Sequence, residues 1–448
     1  MLKRVGLSVA GLGALMIALG VPVVARAAHH LDPGWATEAN HSMAERLADL
    51  ELRLEEAVAT PPRESPSHAS WTVRPRGRAL MDHVMFGPSN APGSVLEDAQ
   101  DATFFRSARL GFSGTGYEVF YFTAELDFFN PNGRTAYRDV LIGVRDLPLL
   151  GSVQVGHFKE PLSLDQLASP LHITFMERSL PNAFIPGRNL GVMARRTTQA
   201  ENATLAFGVF RETPADPPFV ADDDYGAAFT MRGTWTPWYE GSPTGSRLLH
   251  TGLGYSYRDA VGGTEHVRAR PEMGVGPTIV DTGLVDQTSS YQLLVPEVAA
   301  VFGPLSVQAE YMGGFYNRSG ARNAYLWGAY TQLSYFLTGE SRNYSRASGA
   351  FGRVQPLRNF IRTRDQHGRL VRGPGAWELT YRYSFLDLDD ARADVLGGHA
   401  GNHTFGVNWY LTSHARMMFN FVHSRFAPGE SADKYGLNVF GVRAQFDF

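Results

Sequence analysis

Arginine is the residue type in this chain best placed to do chemistry. Eight arginines crowd into residues 337–375: Arg342, Arg346, Arg353, Arg358, Arg362, Arg364, Arg369 and Arg372, against Glu340 and Asp365 alone. A guanidinium stays charged and presents a planar fork of donors, so it binds phosphate and carboxylate groups through two parallel hydrogen bonds. If the segment lines an opening, its field concentrates anions there. The alternative is a solvated basic loop. Other arginines are spread singly through segments that alternate apolar and polar residues. Arg78, Arg109, Arg195, Arg232, Arg382, Arg416 and Arg443 fall on the polar side of that alternation. They are candidates for an anion ladder, or they pair with Glu125, Asp127, Glu297, Glu310 and Glu378 as a structural lattice. Lysine is scarce: only Lys3, Lys159 and Lys434 occur.

Other chemistries find little support. No cysteine is present, which excludes disulfides and thiolate-bound metal. Asp222-Asp223-Asp224 has hard oxygen donors but matches no calcium-loop spacing, and His29-His30 reads as an exposed end. There is no Gly-rich phosphate loop ending in Gly-Lys and no His-Glu-x-x-His pattern. No local motif marks a nucleophile near His250, His403, His414 or His423, so no enzyme activity, metal or other cofactor is expected. The formal net charge is −3, and no basic face for nucleic acid is indicated.

The elements that must hold these arginines follow from periodicity. Residues 1–27 read as a secretory signal, with Lys3 and Arg4, an apolar stretch, and Ala25-Arg26-Ala27 as the cleavage site. Residues 28–70 carry a short helix, in which Asn40, Met43, Leu47, Leu50, Leu54 and Ala57 follow a 3-4 spacing, and then a proline-rich linker. From Trp71 to Phe448 the period becomes two. Sixteen strands are predicted: 71–86, 104–113, 117–128, 137–145, 152–160, 189–196, 202–210, 225–235, 247–257, 290–302, 304–314, 324–336, 376–385, 402–411, 413–423 and 435–448. In the last, Asn438, Phe440, Val442, Ala444, Phe446 and Phe448 share one face, and Arg443, Gln445 and Asp447 lie on the other.

After the first 25 residues no apolar run reaches the roughly 18 residues of a membrane helix. Backbone satisfied in lipid without helices requires a closed barrel. Strands of about ten residues, apolar outward and polar inward, are its signature. The expected fold is therefore an all-β, antiparallel transmembrane barrel of about sixteen strands, occupying 71–448. Parity supports it. Counted back from the C-terminus, the outer connections are long and the inner ones mostly short, with 337–375 as the exception. The connection 161–188 is too apolar to lie in water (Leu171, Ile173, Phe175, Met176, Phe184, Ile185), so it is predicted to fold inward. That brings Arg178 and Arg188 to a constriction.

Several stretches then resemble the phosphate-selective porin O and P family. They are Val155-Gly156-His157-Phe158-Lys159-Glu160-Pro161, the block Ile173 to Phe184, Pro186-Gly187-Arg188-Asn189-Leu190-Gly191, Leu337-Thr338-Gly339-Glu340 and Gly375-Ala376-Trp377-Glu378-Leu379. The resemblance covers roughly 70–448. It implies an outer-membrane trimer with inward-folding loops and a long periplasmic turn, which accounts for 337–375. It also implies anion selection by an arginine ladder with central lysines, for which this barrel offers Lys159. The expected function is passive diffusion of small anions, phosphate or polyphosphate among them. The expected partners are lipid and lipopolysaccharide around the barrel, and the barrel-assembly machinery at the C-terminal Phe448. The alternatives are a general, weakly selective porin and a plugged structural barrel.

Overall fold

The structure is a computed structural model that describes residues 71–129, 135–212, 226–242, 245–364, 368–429, 431 and 433–448. The expected signal, the 28–70 helix and linker, His29-His30 and the acidic triplet at 222–224 lie outside those residues.

Sixteen antiparallel strands close into one barrel. Numbering the barrel strands alone, they are β1 (Thr72–Ser89), β2 (Ala102–Gly116), β3 (Phe120–Phe129), β4 (Ala136–Leu147), β5 (Gly151–Lys159), β6 (Arg188–Thr197), β7 (Ala203–Arg211), β8 (Ala227–Glu240), β9 (Arg247–Asp259), β10 (Thr288–Phe302), β11 (Leu305–Arg318), β12 (Ala324–Phe336), β13 (Ala376–Asp390), β14 (Val395–Tyr410), β15 (Ala415–Ala427) and β16 (Tyr435–Asp447). Each pairs with the next in sequence, and β1 pairs with β16 to close the sheet. Phe448 completes the seam by exchanging backbone hydrogen bonds with Gly77 (3.0 and 3.2 Å). Closure leaves no unpaired edge, which is what a sheet in hydrocarbon requires.

Alternation decides which residues face lipid. Outward positions such as Phe112, Val155, Val209, Leu253, Leu333 and Phe405 are exposed, while the inward neighbours Glu125, Arg232, Glu297, Arg382 and Arg416 are buried. The barrel is thus inverted relative to a soluble protein: apolar outside, charged inside. All sixteen expected strands are present, with shifted ends. Tyr117 and Glu118, expected to open the third strand, instead turn the chain at φ 51° and 62°. The outer connection expected over 386–401 shrinks to 391–394, because β13 and β14 keep alternating beyond the expected ends, with Leu386, Leu388 and Ala400 buried inward.

Of the described connections, three long ones pack into the interior. Residues 160–187 fold in with one helical turn, Leu164–Leu167, and one 3-10 turn, Leu180–Phe184. Residues 260–287, read from the sequence only as an outer connection, fold in as well. Val267, Met273, Ile279, Val280 and Val285 share a core with Met176, Leu180, Phe184 and Ile185 and with inward residues of β10 to β16. Each such side chain contributes about 1.5–3 kcal/mol when fully buried. The first half of 337–375 seats Tyr344, Ala350 and Phe351 against Leu164, Leu248, Ala299 and Val301.

Candidate functional site

The inward loop at 160–187 is held by charge from both sides. Ser163 caps its helical turn, its hydroxyl accepting from the Gln166 N–H (3.2 Å). Glu310 on β11 accepts the Leu164 and Asp165 N–H groups, both at 2.8 Å. At the far end of the loop Glu177 receives Arg106 Nε at 2.6 Å and Arg443 Nη2 at 2.8 Å. Arg443 also forks onto Asp82, with two bonds of 2.7 Å. Glu177 lies on the loop, not on a spanning strand. Burial would raise its carboxyl, but the two guanidinium groups outweigh burial and hold it down at about 2.

Between loop and wall lies a cavity of about 450 Å³. Its lining includes Arg106, Arg109, Arg138, Lys159, Arg178, Arg188 and Arg443, against Glu177 and Glu212. A second cavity, about 240 Å³, is lined by Arg76, Arg78, Arg188, Arg195, Lys159 and Asp139 among others. Lys159, Pro170 and Arg188 belong to both, so the two spaces meet there. Lys159 ends β5 and Arg188 begins β6, and the two are directly opposed in the sheet register. Like charges facing each other across strands are destabilising. Asp139 partly offsets this, binding Arg188 at 2.8 and 3.1 Å. Lys159 has no carboxylate within 4 Å among the described residues; its ammonium donates to the carbonyls of Gln166 (2.5 Å) and Ala168 (3.1 Å). Arg178 is held the same way, donating to Asp165 O (2.9 Å), Gln166 O (3.2 Å) and Ala168 O (2.9 Å). Burial lowers Arg178 from its ordinary value against the raising fields of Asp165 and Glu177. The result is a cluster with two cations held by carbonyls and a third by one carboxylate.

The other arginines predicted from sequence divide by partner. On the wall, Arg109 binds Asp127 at 2.7 Å and Arg78 lies 3.6 Å from Glu125. Arg195 lines the second cavity, with no carboxylate within 4 Å among the described residues. Away from both cavities, Arg232 binds Glu297 and the Gly349 carbonyl, which anchors the 337–375 segment. Arg382 binds Glu272 at 2.7 Å and the Glu177 carbonyl, while its guanidinium lies over Phe175. Arg416 donates to Ile173 O and Gln445. In the long turn, Arg342 is buried over the Phe351 ring, Arg346 pairs with Glu201 at the rim and Arg353 forks onto Asp447. The structure therefore gathers Lys159, Arg109, Arg178, Arg188 and Arg443 around the first cavity and Arg78 and Arg195 around the second. Arg232, Arg342, Arg346, Arg353, Arg382 and Arg416 hold loops and turns to the wall.

Arg106 and Arg138 escaped the sequence reading because of two β-bulges. Strict alternation puts Arg106 with Ala108 and Leu110, facing lipid. In the register Leu80 pairs with Ser107 and Met81 with Phe105, so Arg106 is the extra residue and turns inward. On β4 the same happens to Arg138 and Asp139, skipped between Tyr137 and Val140. The available signal was an arginine on a lipid face, which costs about 2–4 kcal/mol at the bilayer midplane. As for the histidines weighed as catalytic, His250 is enclosed by Tyr344 and Glu297, His414 sits at Asp447, and His403 and His423 are on the outward face.

Comparison with known proteins agrees with this architecture. The model of the family described as phosphate-selective porin O and P matches residues 87–448. Porin O of Pseudomonas aeruginosa is 27% identical over 367 residues, covering 72% of this chain and 77% of that protein. An uncharacterised protein of Caulobacter vibrioides is 28% identical over 429 residues, covering 88% and 80%. Among solved structures, an anion-selective porin from Comamonas acidovorans superposes with a TM-score of 0.50 at 12% identity, covering 84% of this chain and all of that one. OprB of Pseudomonas putida gives 0.50 at 9% identity, covering 85% and 94%. Family members are channels rather than enzymes. A closed sixteen-stranded barrel with a lipid-facing apolar wall, together with a family match over most of its length, makes this chain a bacterial outer-membrane porin of the phosphate-selective porin O and P family.

Proposed function

We propose that this porin passes small oxyanions, phosphate and short polyphosphates among them, down their gradient through the Lys159–Arg178–Arg188 constriction. The observation that carries the reading is the opposed pair Lys159 and Arg188, with Arg178 beside it. A fold optimised for stability alone would not face two cations across adjacent strands. An entering oxyanion supplies the missing negative charge and accepts their hydrogen bonds. The description of the matched family as phosphate-selective supports the same class of solute, as does the likeness to the anion-selective Comamonas channel. The arrangement favours weak, multi-partner binding, which lets an ion enter and leave.

The decisive experiment is the reversal potential of purified protein in a planar bilayer under a potassium chloride gradient, followed by phosphate titration. Anion selectivity with chloride current blocked by phosphate supports the reading. Cation preference, or chloride current indifferent to phosphate, overturns the phosphate assignment. A second reading, a weakly selective general porin, is favoured by the many arginines already matched to carboxylates, such as Arg109, Arg232, Arg382 and Arg443.

As part of the same reading, the protein is exported with cleavage after a signal at 1–27 and assembles as a trimer. Its exposed terminal Phe448 is presented to the assembly machinery, and its outward face is embedded in lipid and lipopolysaccharide.

A further inference from the structure

The outward face of the barrel changes character toward its last strands. On β12 the outward positions are Tyr325, Trp327, Ala329, Thr331, Leu333 and Tyr335, none charged and none an imidazole. On β14 and β15 the equivalent positions include His399, His403, His423 and Arg425, and Lys434 immediately precedes β16. Two of these positions, His403 and His423, belong to one row. Tyr383, His403, His423 and Asn438 are successive register partners across β13, β14, β15 and β16. The row is tied together by hydrogen bonds. Tyr381 Oη meets His403 Nδ1 at 2.9 Å, His423 Nδ1 meets Asn438 Oδ1 at 2.8 Å, and Arg425 Nε donates to His423 Nε2 at 3.3 Å.

A cavity of about 610 Å³ opens over this row, and no carboxylate lines it among the described residues. Among the described residues the acids at its margin are Asp389 beside His399 (3.5 Å), Asp387 opposite His399 in the strand register, and Asp433 beside Tyr435 (3.5 Å). Gly401 keeps the depression open: a Cβ there would point at the Tyr383 hydroxyl (3.3 Å) and Phe385 (3.6 Å). The strands concerned join at 391–394 and 428–434, both outer connections, so the cavity belongs to the outer half of the wall. Cations over aromatic side chains on a lipid-facing wall match an amphiphile with an anionic head and acyl tails.

We propose that this cleft is a binding site for a phosphorylated glycolipid of the outer leaflet. Its phosphate is held by Arg425 and Lys434, its head group accepts hydrogen bonds from His399 and His403, and its acyl chains lie along Tyr383, Phe385, Phe405 and Phe421. Charge complementarity favours a lipid over a second copy of the chain. A neighbouring copy would have to bring carboxylates, and the outward rows of β7, β10, β11 and β12 supply none.

The test is native mass spectrometry of the full-length porin reconstituted with bisphosphorylated lipid A. One lipid A per protomer should survive mild activation. Arg425→Gln with Lys434→Gln should reduce retention by about tenfold or more, and dephosphorylated lipid A should be lost as readily from the wild type. Gly401→Leu, which fills the cleft without touching a charge, should also release the lipid. Planar-bilayer conductance of the variants should match the wild type, since none of these side chains faces the lumen; this certifies folding and separates the site from the constriction. Equal retention of lipid A by folded variants would overturn the proposal. So would cross-linking of a cysteine placed at 425 to a second protomer, which would make the cleft a contact between copies.

Discussion

The proposed constriction turns on a few charges whose partners differ in kind. Lys159 and Arg178 are held by carbonyls, which orient a cation without neutralising it, whereas Arg443 is matched by Asp82 and Glu177. Lys159→Gln should therefore lower anion selectivity and weaken phosphate block by about tenfold, the loss of one charge-assisted hydrogen bond. Arg346→Gln should leave both unchanged, because Arg346 pairs with Glu201 at the rim. Reversal potentials of the two variants would separate them, and an unchanged Lys159→Gln channel would remove that residue from the path. Glu177 gives a pH prediction. Its carboxyl is depressed from the ordinary 4.5 to about 2 in the folded protein. The bonds it makes to Arg106 and Arg443 thus contribute fully above about pH 4.5 and are lost as pH falls through about 2. Single-channel conductance should stay steady from pH 7 to about 4.5 and become noisy toward pH 2 as the loop loosens; noise that sets in near neutrality would contradict this.

At the scale of elements, the two infolded outer loops stabilise each other. Glu272, on the loop after β9, accepts from the Leu180 N–H of the loop after β5 and from Arg382, Ser384 and Thr404 on the wall. Glu272→Ala strands the buried Arg382 without its carboxylate, a change that costs about 3–5 kcal/mol. It should lower the thermal unfolding midpoint and raise single-channel conductance, because the constriction loop loses its back support. Unaltered conductance would mean that the first loop stands alone. The β-bulges act at this scale too. By adding one residue to β2 and one to β4 they bring Arg106, Arg138 and Asp139 to the lumen, where regular alternation would leave part of that set in lipid.

For the whole molecule, the lumen acts as one field. Lys159 and Arg178, which no carboxylate within 4 Å neutralises among the described residues, donate to the same carbonyls, so the selectivity proposed above is electrostatic and salt-dependent. The Debye length falls from about 10 Å at 0.1 M to about 3 Å at 1 M salt. Phosphate block should weaken steeply over that range; block independent of salt would point to shape instead of charge. Closure of the barrel is equally a property of the whole. Deleting Phe448 removes the terminal backbone bonds to Gly77 and an exposed aromatic at the seam. The amount of folded, heat-modifiable porin in outer-membrane fractions should fall severalfold, and normal assembly would deny that terminus a role.

What the sequence determined by itself is what local periodicity can encode. Alternation in stretches such as 376–385 and 413–423 specified strands and their lumenal face, because side chains in a strand point to opposite sides whatever lies beyond. Connection parity exposed 337–375 as unusual, and the apolar content of 161–188 required an inward fold. Tertiary structure decided what depends on residues far apart in the chain. Whether Arg382 lines a pore or anchors a loop depends on Glu272, 110 positions away. Whether Lys159 is neutralised depends on which groups the loop returns to it, and those proved to be carbonyls. The infolding of 260–287 was hidden because its apolar residues follow no period, and Arg106 because a bulge breaks the period that reveals its neighbours. Periodicity reports the face of a strand, and only the closed barrel brings opposite walls and loops close enough for one charge to find another.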